Sequence, residues 1–392
     1  MTPLIDRLAF INRNPFRRAD LIYSPGEKAH TTDLVLTIEE RRPYRFYAGT
    51  DNTGVVTTDQ NRVFSGVDGT YLLGCEQMLS FQYTSAYAWR RFQGFTLQYK
   101  VFFPVGHVLD LYGGYIFVNA RMPFSSISHK HHGESGQASM RYTIPLQGGR
   151  LYSHEITVGF DYKSTNNSLD VESLALIGRE VNLTQLMAQY ALEFKNGTSK
   201  IKFMQEIFWS PGPILPNQTN ADFASLRPGA HNHWVYGRTS FSYLQTLRKE
   251  YSLWFLLRGQ LSSQNLLPSE EAAIGGYNTV RGYDERQLNK DSALLLNAEW
   301  RTPPISLIKQ IRKTNIRDAL QFLLFFDSGI GTNHTRFPNE PKVEYLMGAG
   351  PGLRYTLDPY LSLRLDWGVK LHQKVFFEGA RSKLHFSAVV SY

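Results

Sequence analysis

From about residue 44 to the last residue, apolar and polar side chains alternate with a period of two, the spacing of a β-strand with two different faces. In YLSLRLDWGVKL, Leu361, Leu363, Leu365, Trp367, Val369 and Leu371 share one face, and Ser362, Arg364, Asp366, Gly368 and Lys370 share the other. HEITVGFDYK sets Ile156, Val158, Phe160 and Tyr162 against Glu155, Thr157, Asp161 and Lys163. KLHFSAVVSY sets Leu384, Phe386, Ala388, Val390 and Tyr392 against Lys383, His385, Ser387 and Ser391. These faces are apolar, aromatic-ended and about 10 residues long, as a tilted membrane strand requires. Clusters of Gly, Pro, Asn and Asp, such as TDNTGVVTTDQN, KSTNNS and WSPGPILPNQTN, read as turns and loops between them. About sixteen strand candidates in about 350 residues predict an all-β fold: a transmembrane antiparallel β-barrel of even strand number. A large soluble all-β protein is the plain alternative, but a polar lumen explains why charged faces recur in so aromatic a chain.

The first forty residues break this pattern. LIDRLAFINRNPFRR places Leu4, Ile5, Leu8 and Ile11 on one helical face, and Pro15 then disfavours helical geometry at Asn14. ADLIYSPGEKAHTTDLVLTIEER follows as two strand-like runs with a turn beginning at Pro25 and Gly26. A helix plus a hairpin is too small to bury a core of its own, so residues 1–42 read as the tail of a larger soluble module and residues 43–392 as the barrel.

Composition sharpens this picture. The chain holds 25 Phe and 22 Tyr, yet contains no run of about 20 apolar residues that would make a membrane helix. Its start, MTPLIDRLAFINRNPFRR, has scattered charges, no apolar h-region and no small-residue cleavage site, so the chain is either cytoplasmic or begins downstream of its natural start. The single cysteine, Cys75, excludes an internal disulfide and offers no metal framework. A net charge of +8 spread along the chain supports neither a nucleic-acid stripe nor a polybasic tail, and no nucleic-acid partner is expected.

Several short stretches invite chemistry and do not sustain it. HKHH at His129–His132 has no further ligand at a diagnostic spacing for a metal. GAGPG at Gly348–Gly352 lacks the helix and the Lys-Ser or Lys-Thr pair of a phosphate loop and reads as a glycine-rich barrel strand. GESG at Gly133–Gly136 lacks the spacing of a hydrolase elbow. No catalytic constellation emerges, and neither a metal nor another cofactor is expected.

Two motifs and the front of the chain carry a resemblance. The segment NRNPFRRADLIYSPGEKAHTTDLVLTIEERRPYRFYAGTDNTG, with Asn14, Pro15, Phe16, Asp51, Asn52 and Gly54, resembles the outer-membrane transporters of two-partner secretion, the haemolysin secretion and activation family, where the last POTRA domain passes into the first barrel strand. IGGYNTVRGYDER resembles that family's loop six, whose Val-Arg-Gly-Tyr signature, here Val280, Arg281, Gly282 and Tyr283, is shared with the BamA-like superfamily. FFDSG, with Phe325, Asp327 and Gly329, is similar to the superfamily's Phe-x-Asp-x-Gly strand motif. The front departs from the family: it shows no signal peptide, no plug helix, no first POTRA domain and only part of the second.

The glycines of GGYNTVRGYDER allow backbone turns that other residues resist, so the loop can fold back into the barrel. An arginine placed in a lumen of restricted hydration needs a partner. Asp327 is the candidate, since it shares a strand face with Gln321 opposite Phe322, Leu324 and Phe326. The plain alternative is an exposed loop with a solvated arginine. The resemblance implies the Arg281–Asp327 pair. It also implies a bacterial outer-membrane location and export of a large unfolded secreted protein without ATP. Outer-membrane lipid would surround the barrel, and the barrel-assembly machinery would read the terminal Phe386, Val390 and Tyr392. The rival functions are an insertase of the same superfamily and a passive porin.

Overall fold

The computed structural model describes residues 2–28, 30–71, 76–120, 131–167, 177–308, 317–336, 340–372 and 380–392. The chain opens with helix α1 (Thr2–Ile11) and a two-stranded hairpin of β1 (Arg17–Pro25) and β2 (Thr32–Glu40). Beyond the helix end, the Asn12 amide pairs with the backbone of Ala19: Nδ2 donates to Ala19 O at 2.9 Å, and Ala19 N–H donates to Oδ1 at 2.7 Å. Asn14 fastens this segment to the barrel, its Oδ1 accepting from Phe16 N–H at 3.0 Å and its Nδ2 donating to Thr70 Oγ1 at 3.1 Å.

The wall begins with β3 (Tyr44–Asp51), β4 (Arg62–Thr70), β5 (Gln77–Ala86), β6 (Phe92–Phe102), β7 (Val108–Ala120) and β8 (His131–Pro145). It continues through β9 (Tyr152–Asn167), β10 (Ile177–Lys195), β11 (Ser199–Pro211), β12 (His233–Thr246) and β13 (Ser252–Ser262). Helix α2 (Asn220–Leu226) lies in the connection between β11 and β12. Residues 263–291 then leave the wall, and inside them β14 (Ala272–Ile274) pairs with β15 (Leu288–Lys290). The wall resumes with β16 (Ser292–Arg301), β17 (Arg317–Thr332), β18 (Glu344–Asp358), β19 (Leu361–Lys370) and β20 (Ser382–Ser391). Every wall strand is antiparallel to its neighbours, and β20 pairs with β3 from Ser387↔Asp51 to Ser391↔Tyr47, closing a sixteen-stranded barrel. Closure leaves no strand edge to face hydrocarbon, where an unpaired backbone group is costly.

The two-faced strands sort as lipid and lumen demand. Leu365, Trp367 and Leu384 point outward, while Asp161, Asp366 and His385 are buried inside. Several connections at the end holding both barrel termini are tight, such as 103–107 and 196–198, whereas the opposite end carries the two longest, 212–232 and 263–291. In outer-membrane barrels short turns face the periplasm and long loops face outward.

The structure corrects three loop assignments. KSTNNS is not a loop up to Asn167, because β9 runs on through that residue and Lys163 faces an internal carboxylate. Thr50 and Asp51 of TDNTG close β3, and β11 extends to Pro211 of WSPGP. The remainder of that last stretch leads into α2, whose start is a capping box: Asp222 N–H donates to Thr219 Oγ1, and Thr219 N–H donates to the Asp222 carboxylate. Nor is the inner face polar throughout. Where the 212–232 loop enters the barrel mouth, Phe208, Phe223, Trp234, Tyr236, Leu266 and Leu267 form an apolar cluster, because that part of the wall packs against folded chain instead of water. Cys75, His129 and Lys130 lie outside the described residues, Gly133–Gly136 lie in β8, and Gly348–Gly352 lie in β18.

Candidate functional site

Residues 263–291 form the sixth connection at the long-loop end and fold into the lumen. The reversal at the bottom is tight: Gly276 N–H donates to Val280 O at 3.1 Å, and Thr279 N–H donates to Gly276 O at 3.2 Å. Gly276 has a φ of +114°, and a Cβ there would fall 2.2 Å from a Glu285 carboxylate oxygen. Val280 is fully buried in a small apolar cluster with Ile274, Tyr283, Leu288, Leu295 and Leu346, which staples the turn to the wall. Gly329 makes room for it, since a Cβ at that position would meet Ile274, Leu295 and Val280 at 2.5, 2.9 and 3.0 Å.

Arg281 follows at the tip and is 2% exposed. Its Nε donates to Asp327 Oδ2 at 2.7 Å and its Nη2 to Asp327 Oδ1 at 2.9 Å, the bidentate fork that suits guanidinium and carboxylate. The Arg281 backbone N–H adds a third bond to Asp327 Oδ2 at 3.1 Å. Nη1 reaches Glu299 Oε1 at 2.7 Å and Asp366 Oδ2 at 3.4 Å. Beneath the guanidinium lies the Phe325 ring, its centroid 3.7 Å from Cζ, a cation–π contact. Burial alone would lower the pKa of Arg281; its hydrogen bonds and charge contacts with Asp327, Glu299 and Asp366 more than offset this and raise it.

The carboxylates are held in turn. Asn297 Nδ2 donates to Asp327 Oδ1 at 2.8 Å, and Arg301 Nη2 lies 2.6 Å from Glu299 Oε2. Arg354 binds Asp366 through both terminal nitrogens at 2.7 and 3.0 Å, and Arg364 Nε donates to it at 2.8 Å. Arg364 also stacks on the Tyr277 ring of the loop, 3.7 Å from its centroid, and donates to Tyr277 O at 2.8 Å. Past Arg281, Gly282 N–H donates to His385 Nε2 at 3.0 Å, and Tyr283 Oη donates to Met347 O at 2.8 Å and to His372 O. Both ends of the loop are braced by Arg227 from the 212–232 connection, which bonds Leu266 O at 2.7 Å and the Asp291 carboxylate at 2.5 and 3.1 Å.

The structure therefore brings Val280, Arg281, Gly282, Tyr283, Phe325, Asp327 and Gly329 together in one site. Phe386, Val390 and Tyr392 lie apart from it on the closing strand and the residue after it. Glu299, Asp366, Asn297 and His385 belong to the site and were not singled out from sequence. Their only signal is position: each falls on the lumen face of an alternating strand.

The model of the haemolysin secretion/activation protein ShlB/FhaC/HecB family matches residues 30–355. The chain belongs to this family. It is an outer-membrane transporter of two-partner secretion. Its fold is similar to that of CdiB from Escherichia coli, with a TM-score of 0.83 at 16% identity over 99% of this chain and 71% of that one. CdiB from Acinetobacter baumannii gives a TM-score of 0.70 at 16% identity over 96% of this chain and 66% of that one. BamA from Haemophilus ducreyi lacking POTRA domains 1-3 gives 0.57 at 13% identity over 99% of this chain and 78% of that one. No curated protein matches this transporter in sequence.

Proposed function

We propose that this transporter exports a large secreted protein, unfolded, through its lumen to the cell surface, with loop six latched by Arg281 and Asp327 as the movable element in the path. Membership of the haemolysin secretion/activation family carries the reading. The lumen chemistry supports it: a cavity of about 540 Å³ is lined by Lys100, Asp110, Arg141, Asp161, Lys163 and Glu206, among others. A wall of interleaved charges keeps an extended chain hydrated and selects no particular sequence. Folding of the exported protein outside makes its return unfavourable, so net movement needs no nucleotide at this membrane.

In this reading residues 1–42 are the C-terminal part of a POTRA domain that delivers the substrate on the periplasmic side. The apolar outer face meets outer-membrane lipid. The closing strand and its final residue, with Phe386, Val390 and Tyr392, are what the assembly machinery reads during biogenesis. The test is to look for a large secreted protein encoded beside this transporter and to follow its appearance at the cell surface. Deleting the transporter should leave that protein in the periplasm, and restoring it should release it. Unchanged surface display in the deletion strain overturns the reading. Loss of other outer-membrane barrels would point to an insertase, and free passage of small sugars into reconstituted liposomes would point to a porin.

A further inference from the structure

The tip of loop six rests on the β16–β20 wall, but its entry arm is anchored elsewhere. Glu270 is completely buried and projects from that arm toward β9, β10 and β12. Its carboxylate accepts from Lys163 Nζ at 2.7 Å, Tyr236 Oη at 2.7 Å, Gln185 Nε2 at 3.3 Å and Ser269 Oγ at 2.8 Å. Its backbone carbonyl accepts from Arg238 Nη2 at 3.2 Å and Gln260 Nε2 at 3.0 Å. Burial alone would raise the carboxyl pKa, yet Lys163, the Tyr236 hydroxyl and Arg238 reverse that and hold it down at about 2.

Among the described residues, none bonded to Glu270 is bonded to Arg281, so the two anchors can open separately. Glu270 also lines the lumen cavity, at the point where the arm crosses it. A buried anion is costly unless fully partnered, and three wall strands supply partners to this single loop side chain.

We propose that Glu270 is a second latch of loop six and a positioning residue for export: it pins the entry arm to the β9–β12 wall and keeps the loop in the lumen when Arg281 disengages. Its consequence for export rests on the function proposed above, but the latch can be read without any substrate.

The experiment places a single thiol at Val280→Cys in a Cys75→Ser background of the full-length transporter in liposomes and follows its modification by a membrane-impermeant maleimide. Val280 is fully buried under the turn, so its labelling reports departure of the tip. With Arg281→Ala alone the thiol should stay largely shielded. Adding Glu270→Gln should raise labelling about tenfold or more, the factor carried by one charge-assisted hydrogen bond. Lys163→Met should reproduce the effect and Lys163→Arg should not. The proposal is overturned if Arg281→Ala alone labels as fast as a free thiol, or if Glu270→Gln and Lys163→Met change only the melting of the barrel and leave labelling unmoved. Failure of export in cells with the latch behaviour intact would count against the proposed function instead.

Discussion

Gly282 of loop six and Gly368 of β19 touch backbone to backbone: a Cβ on Gly368 would lie 2.3 Å from Gly282 N and 2.6 Å from the Arg281 carbonyl carbon. Gly348 on β18 is just as close, its missing Cβ falling 2.0 Å from Arg281 O. The tip thus sits on a floor from which two strands have removed their side chains. Gly282 itself has a φ of +99°, a conformation other residues resist. Gly368→Ala should lift the tip and stretch the Arg281–Asp327 fork, at a cost of about 1–3 kcal/mol for overpacking. The barrel should still insert and migrate as a heat-modifiable band, while export falls toward the level of Arg281→Ala. Normal export by Gly368→Ala would show that the floor is not needed.

Loop six should also respond to pH through Glu285. Burial lifts its pKa to about 7, against partial offsets from the Tyr277 N–H and Lys383 and with smaller reinforcement from Asp51 and Asp284. Because the folded value lies above the ordinary 4.5, its contribution is fully present below pH 4.5 and is lost as pH rises through 7. Each unit of such a shift is worth about 1.4 kcal/mol. The temperature at which the folded gel band converts should therefore fall between pH 5 and pH 8, and Glu285→Gln should flatten that slope. An identical slope in the variant would remove Glu285 from the account.

The barrel was legible because lipid on one side and a hydrated lumen on the other impose a period of two, and Leu365 beside Asp366 shows that rule in adjacent residues. Arg281 stood out by resemblance to a family, and Asp327 by that resemblance together with its place on a polar strand face. Glu299 and Asp366 did not stand out, because any polar residue is permitted on a lumen face, and Glu270 did not, because a polar residue is equally ordinary in a loop. Which of them meet is decided by strand register and by where loop six lands. Gly348 and Gly368 read as ordinary strand glycines for the same reason: the loop that needs their missing side chains is distant in sequence. Lys163 ends the alternating run HEITVGFDYK and also begins the loop-like KSTNNS, and pairing with β8 and β10 keeps it and the residues after it in the wall.

At the seam, β3 is short and a side chain lengthens it. Asn52 Nδ2 donates to Leu384 O at 2.6 Å, and its Oδ1 accepts from Phe386 N–H at 3.0 Å, so the amide stands in for a further pair of ladder bonds. At the other end Phe46 and Tyr392 exchange backbone bonds of 3.0 and 2.9 Å. Asn52→Ala would leave two backbone groups of β20 short of partners, a loss of about 1–3 kcal/mol for each left unsatisfied. Both Asn52→Ala and deletion of Tyr392 should lower the amount of folded barrel in the outer membrane more than they lower synthesis, as fractionation and immunoblotting would measure. Equal membrane levels would show that the seam tolerates the loss.

The Arg281 site makes a sharper prediction than a single ion pair would. Removing one partner of a buried pair typically costs about 3–5 kcal/mol, reduced here by whatever water the lumen admits. Asp327 takes its two charged bonds from the Arg281 side chain, so Arg281→Ala leaves it only the backbone N–H of residue 281 and Asn297, with no cation bonded to it. Glu299 keeps Arg301, and Asp366 keeps Arg354 and Arg364. Arg281→Ala and Asp327→Ala should each impair export while leaving the barrel inserted, and the double variant should be little worse than either. Arg281→Ala combined with Glu299→Ala should come closer to additive, since Glu299 has a second cation. Arg281→Lys should rescue poorly: a point charge cannot span both Asp327 oxygens and Glu299 as the planar fork does. Export and heat-modifiability of the five variants, with Glu299→Ala alone as the reference for additivity, decide the matter. Full additivity for Arg281 and Asp327 would mean that the contact in the structure does not carry the function of the loop.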